Sequence, residues 1–547
     1  MTAQLALLLS TLFLFSFFIL SVTASPLEYP KRTENGIHVP IFRRESRGLE
    51  RRGKLTGAIG LGDFVDVTYS VLVDVGGTKS PLILDTGSSD LWMASDACKA
   101  CDTTLQLFPQ ASFVDAGLDV DLRYGDSLTG THAAGLIGTD AISFAGISMQ
   151  NQYFAAINDT DTNVLGTGSA GILGLGFALN SVIWNEVFAS KFTLQSSSTQ
   201  RSLPRRLPSS NYGTRFFPNL DNLLSARKRT TDAAALTKAV LDSYPTYGPA
   251  VTRMVTTNSL VAPMFSITLQ RDSLDIGGNA GVLSLGELPP GIQESALTWA
   301  PVRAYPNALQ APADSPKEEY PIAWELFLDD VYLDSVRLPR SNLSSPKIAL
   351  SALIDTGNSL LRGPADVVGV INSRLGKTFS CSTPHTLAFS IGGKLFPVDA
   401  RDFVSQAIDN ELADCSTNVV ETDSPGYVSF YFRSVLASFY YGNITYPSAD
   451  PPRIGLLSTV PGDGGAAALQ SAVQSAIAHN GGNEFSTTDL APTGVPAAAG
   501  TGASGVPLAP VGKIETNGVS RKWGRPIQRL VVLAGPVMGA AITLGLI

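Results

Sequence analysis

At 547 residues the chain is long enough for more than one domain, and with 44% hydrophobic and 16% charged residues it can bury a sizeable core. A formal net charge of −8 gives no electrostatic reason to expect a nucleic-acid partner. The histidines, only four in number, form no His-Glu-x-x-His, and no Gly-x-Ser-x-Gly sits on a strand-to-helix turn, so zinc-peptidase and serine-hydrolase chemistry lack their parts.

In chain order, Leu5 to Leu20 is mostly apolar and Val22-Thr23-Ala24 supplies small residues. Residues 1–24 therefore read as a secretory signal peptide, against a membrane anchor for which the run is short. Residues 25–52 are polar and basic, with Lys31-Arg32, Arg43-Arg44 and Arg51-Arg52, and are expected to lie outside the core. From Asp63 the pattern turns to strands: Val65 to Val73 is β-branched and partly alternating, and Gly76-Gly77 marks a turn. The next strand, Leu82-Ile83-Leu84, runs into Asp85-Thr86-Gly87-Ser88-Ser89. Its near-copy far downstream is Ala352-Leu353-Ile354-Asp355-Thr356-Gly357-Asn358-Ser359. Each copy sets an aspartate at the end of a buried strand and breaks at a glycine, which permits a sharp loop. A carboxylate on a loop held by a rigid strand suits catalysis.

This repeated Asp-Thr-Gly resembles the pepsin-like aspartic proteases, the fungal secreted and GPI-anchored type above all. The resemblance implies an all-β, bilobal fold, with an N-terminal lobe over residues 53–260 and a C-terminal lobe over 261–460. Each lobe would supply one catalytic aspartate, Asp85 and Asp355. Two carboxylates face to face share one proton, so one serves as base and the other as acid towards a water; this pair is a standard illustration of coupled carboxylates. By the same resemblance, residues 25–52 would be a basic prosegment that is cut near Arg51-Arg52. Thr86, Gly87, Ser88, Thr356, Gly357 and Asn358 would support the dyad. Trp92 would support a flap tyrosine, Tyr124, followed by Gly125 and Asp126, which offer backbone contacts to a peptide. An acid at Asp126 is a departure from the family and could favour basic residues near the scissile bond.

Cys98-x-x-Cys101 has the spacing of a redox or zinc motif, but no neighbouring Cys or His completes a metal site, so a local disulfide is expected. The resemblance places a second disulfide at Cys381–Cys415, and a strand Ala170 to Gly176 under the first catalytic loop. Residues 190–250, rich in Ser, Arg and Pro over 195–208, read as a surface insertion. Gly426 to Arg433 lacks the glycine expected under the second loop, which motivates the alternative of an inactive, pepsin-like, cell-surface peptide-binding protein. Asn158, Asn342 and Asn443 head glycosylation sequons. Residues 461–529 read as a Gly/Ala/Ser/Pro linker. Residues 530–547 are an apolar tail that, after small residues near Asn517, fits a GPI signal or else a membrane anchor. The expected protein is a monomeric aspartic endopeptidase of acidic to mildly acidic pH, secreted or held at the cell surface. Its partners would be protein or peptide substrates, with no cofactor and no metal.

Overall fold

Residues 31–32, 36–44, 68–101, 103, 105–125, 130–196, 233–269, 279–289, 291–305, 309, 311–312, 315, 317–342, 349–357, 361–406, 412–422 and 434–478 are described by the computed structural model. Among the described residues strand outweighs helix, 43% to 22%, in agreement with an all-β class. The β-branched run expected after Asp63 forms the strand Thr68–Val75. It turns through Gly76 and Gly77, both at positive φ, into Thr78–Asp85. Two successive positive φ values are what a tight hairpin of the right twist requires, and glycine adopts them without strain.

These strands belong to one sixteen-stranded sheet that runs through both halves of the molecule. In the first half, Thr78–Asp85 pairs in parallel with Gly171–Gly174, and the long strands Val114–Tyr124, Thr131–Phe144 and Ile147–Thr160 complete the sheet edge. In the second half, Met264–Leu269, Val435–Tyr440, Arg453–Ser458, Thr298–Tyr305, Tyr320–Phe327 and Ser351–Leu353 follow in spatial order. The last of these leads into Asp355.

The strand Ile37–Arg44 corrects the expectation that residues 25–52 lie outside the core. It pairs antiparallel with Asn279–Leu285 on one side and with Thr68–Val75 on the other, so it bridges the two halves. His38 is buried on it, with Nδ1 2.8 Å from Ser284 Oγ and Nε2 2.5 Å from Glu287 Oε1. In the sequence, apolar Ile37, Val39 and Ile41 alternate along the strand, with Arg43-Arg44 at its end.

Two further expectations change. The described parts of the supposed insertion are helical: residues 190–196 end the helix Val182–Ser196, and from Ala233 the chain forms a packed helix, Ala233–Tyr247, followed by Ala250–Thr256. Val240 and Tyr244 on it join Trp184 and Phe188 of the helix Val182–Ser196, and Leu309 and Tyr320 of the second half, in one apolar cluster. The supposed linker likewise begins as a helix, Ala466–Ala478, with Leu469 and Val473 in the main core. No helix among the described residues is long and apolar enough to cross a membrane. Residues 1–24 and 530–547 lie outside the described residues, as does the basic stretch 201–232.

Candidate active site

Two loops leave the sheet at Asp85 and Asp355 and meet. Thr86 N–H donates to Thr356 Oγ1 at 3.1 Å, and Thr356 N–H donates to Thr86 Oγ1 at 2.9 Å. Each hydroxyl then donates across to the strand that leads into the other aspartate: Thr86 Oγ1 to Ile354 O at 2.6 Å, and Thr356 Oγ1 to Leu84 O at 2.8 Å. Four bonds related by an approximate twofold thus lock one loop to the other. Both threonines are buried, where an unmade hydrogen bond is costly.

The same symmetry brings the carboxyl groups together. A β-carbon on Gly87 would lie 2.6 Å from Asp355 Oδ1, and one on Gly357 would lie 2.6 Å from Asp85 Oδ1. Only glycine lets each backbone pass so close to the opposite acid. Gly87 N–H donates to Asp85 Oδ1 and Gly357 N–H to Asp355 Oδ1, both at 2.8 Å. Ser88 Oγ donates to Asp85 Oδ2 at 2.5 Å. Each carboxyl therefore lies against the glycine of the opposite loop, close enough for the two acids to feel each other's charge.

Burial raises Asp85 above the usual carboxylate range, while the donors Ser88, Gly87 and Asp355 pull it back. Burial and then the Asp85 charge push Asp355 well above that range. Two carboxyls in one desolvated site cannot both ionise cheaply, so they titrate as a pair, and the greater rise falls on Asp355.

Tyr124 ends the strand Val114–Tyr124, and Gly125 follows it at positive φ. The buried Trp92 donates its indole N–H to the Tyr124 phenol at 2.7 Å. Burial, then the charges of Asp90 and Asp85, push the Tyr124 phenol well above its ordinary value, so it stays neutral. Gly171–Gly174 lies beside the first loop: Leu175 N–H donates to Asp85 O at 2.8 Å, and a β-carbon on Gly174 would meet Asp90 N at 2.5 Å. The Leu175 carbonyl accepts from Trp324 and Tyr441 of the second half, at 2.9 and 2.5 Å.

Asp90 is a residue that the motif reading passed over, although an acid directly after Ser88-Ser89 signals it. Its carboxylate accepts from Ser181 Oγ at 2.5 Å, Val182 N at 2.9 Å and Ile183 N at 3.1 Å, and so fastens the first loop to the helix Val182–Ser196. Burial outweighs those donors and raises Asp90 to about 6. His132 sits on the return strand of the hairpin that carries Tyr124, opposite Arg123. Burial opposes its charge, but Asp159 and Asp161 beside it outweigh burial and raise its pKa.

Cys98 is bonded to Cys101 and Cys381 to Cys415, which fits an oxidising, secretory compartment. Asn158, Asn342 and Asn443 are all exposed. Asp126, Asn358, Ser359 and the 423–433 stretch lie outside the described residues, so the departures noted at Asp126 and Gly426 to Arg433 gain no geometry.

The family model for eukaryotic aspartyl protease matches residues 68–214 and 235–440. Cathepsin E of Mus musculus is 23% identical over 381 residues, which cover 66% of this chain and 73% of that protein. Rhizopuspepsin-2 of Rhizopus niveus is 32% identical over 142 residues, 25% of this chain and 36% of that protein. Major aspartyl peptidase 1 of Cryptococcus neoformans var. grubii is 30% identical over 141 residues, 24% and 28% of the two chains.

Proposed function

The chain belongs to the eukaryotic aspartyl protease family, and from that premise we propose that it is an endopeptidase of acidic to mildly acidic pH, with Asp85 and Asp355 as its catalytic pair. The observation that carries this reading is the reciprocal docking of the two loops, which sets each carboxyl against the glycine of the opposite loop. In the proposed reaction Asp85, the anion, takes a proton from a water. The water oxygen bonds to the peptide carbonyl carbon while Asp355 gives its proton to the carbonyl oxygen. The resulting tetrahedral diol collapses: the C–N bond breaks, the proton held by Asp85 passes to the leaving amine, and a hydroxyl proton returns to Asp355. No covalent enzyme intermediate arises. Tyr124, on its hairpin, would close over the peptide and exclude bulk water.

The signal peptide, prosegment, glycosylation and C-terminal GPI attachment belong to the same reading, as the route by which such an enzyme reaches the cell surface. The test is hydrolysis of a peptide library by the processed, secreted protein at about pH 3–6, with and without a pepstatin-type inhibitor. Inhibitor-sensitive cleavage, reduced about a thousandfold or more in both Asp85→Asn and Asp355→Asn, is expected. Unchanged cleavage in both variants would overturn the reading.

A further inference from the structure

The two Asp-Thr-Gly copies are followed by matching strands. Leu91–Ala94 and Leu361–Pro364 are each four residues long and start at the same offset from their aspartate. Each pairs in parallel with a strand from further along its own half, Trp92 opposite Ala155 and Arg362 opposite Val420. Leu91 and Leu361 both point into the main core. Because side chains alternate along a strand, the next residue in each points to the other face. In the first half that residue is Trp92, whose indole reaches the flap tyrosine beside the dyad. In the second half it is Arg362, which is only partly buried. A guanidinium therefore takes, in the second half, the strand position that an aromatic takes in the first. Its charge is felt at Asp355, whose carboxyl it draws down against the larger effects of burial and Asp85.

We propose that Arg362 is a specificity-determining residue that favours peptides carrying an Asp or Glu side chain beside Asp355 and disfavours Lys or Arg there. The inference rests on the endopeptidase reading above and adds the chemical class of substrate. A partly desolvated guanidinium attracts a carboxylate more strongly than an exposed one does, and the opposite sign is repelled. The same cation stabilises ionised dyad states, so its loss moves both limbs of the pH profile to higher pH.

The experiment measures binding as well as turnover, using a statine-containing peptide inhibitor in three forms that differ only in a Glu, Gln or Lys next to the statine, on either side. Calorimetry on the wild type is expected to give about five- to tenfold tighter binding of the Glu form than the Lys form on one side, with the ratio shrinking as salt is raised. Arg362→Gln should bring the ratio to near one and shift the kcat/KM profile to higher pH, while Arg362→Lys should restore most of the ratio. Should Arg362→Gln fail to fold, the Lys variant and the salt series on wild type carry the test. Equal binding of the Glu and Lys forms on both sides, a preference that survives in Arg362→Gln, or no binding of any form would overturn the proposal. Selective binding without cleavage would overturn the endopeptidase reading and leave the assignment of Arg362 standing.

Discussion

Thr86 and Thr356 each accept one hydrogen bond and donate another, and all four bonds cross between the loops. Valine at either place keeps the shape and removes both bonds of that hydroxyl, leaving a buried N–H and a buried carbonyl short of a partner. Thr86→Val is expected to cost about 1–3 kcal/mol, read as a lower denaturation midpoint with an unchanged slope, together with a fall in kcat/KM. Asp90 makes a separate prediction. Its carboxyl holds its proton to about pH 6 in the folded chain, against a usual 3.8. Between those values the unfolded chain is ionised at this site and the folded chain is not. Stability from this group is therefore full below the lower value and falls as pH rises towards the upper one. The loss is on the order of 1–3 kcal/mol. Asp90→Asn should flatten that part of the curve of melting temperature against pH, and an equally steep fall in the variant would contradict the assignment.

At the level of elements, the hairpin ending in Tyr124 and the loop-to-helix link position the proposed site. The strands Val114–Tyr124 and Thr131–Phe144 extend the main sheet, and one indole hydrogen bond ties their tip down beside the dyad. Trp92→Phe keeps most of the buried area and removes that bond. It is expected to lower kcat/KM about tenfold and to speed amide hydrogen exchange at Arg123 to Gly125 while exchange in Gly171–Gly174 stays slow. Much of this was legible in the sequence, because an Asp-Thr-Gly at a strand end and a Tyr-Gly after an alternating run each need glycine where nothing else fits. What was not legible has a shared cause. Ile37–Arg44, Ala233–Tyr247 and Ala466–Ala478 all lie beside basic or low-complexity stretches whose composition reads as solvated chain. The periodic signal was present: Leu469 and Val473 are four apart on one helix face, as are Val240 and Tyr244. Local composition masked it, and tertiary packing decided the outcome. Arg362 was hidden for a different reason, since the repeat shows its importance only when both copies are aligned beyond the glycine.

Above the ordinary carboxylate range the four shifted groups of the site and its surroundings pull one way, whereas Asp366 and Asp463, held low by backbone donors, act only at more acidic pH. Asp85, Asp355 and Asp90 keep their protons to higher pH when folded, and His132 keeps its charge to higher pH when folded. The acids lose their stabilising effect as pH climbs above the ordinary carboxylate range, and the histidine loses its own as pH rises through its folded value. The melting temperature should therefore fall steadily from about pH 4 to about pH 8. A maximum near neutrality would contradict that sum. The sheet through both halves, the Leu175 carbonyl with its two donors from the second half, and the cluster around Trp184 and Tyr320 hold the halves in the register that the dyad needs.

The central claim is that Asp85 and Asp355 act as one unit around a single proton. The most direct measurement is kcat/KM against pH for wild type and for each Asp→Asn variant on one cleavable peptide. A bell with two limbs in the wild type, abolished in both variants, is the predicted result. A single-limb profile, or a bell that persists when either aspartate is replaced, would contradict it.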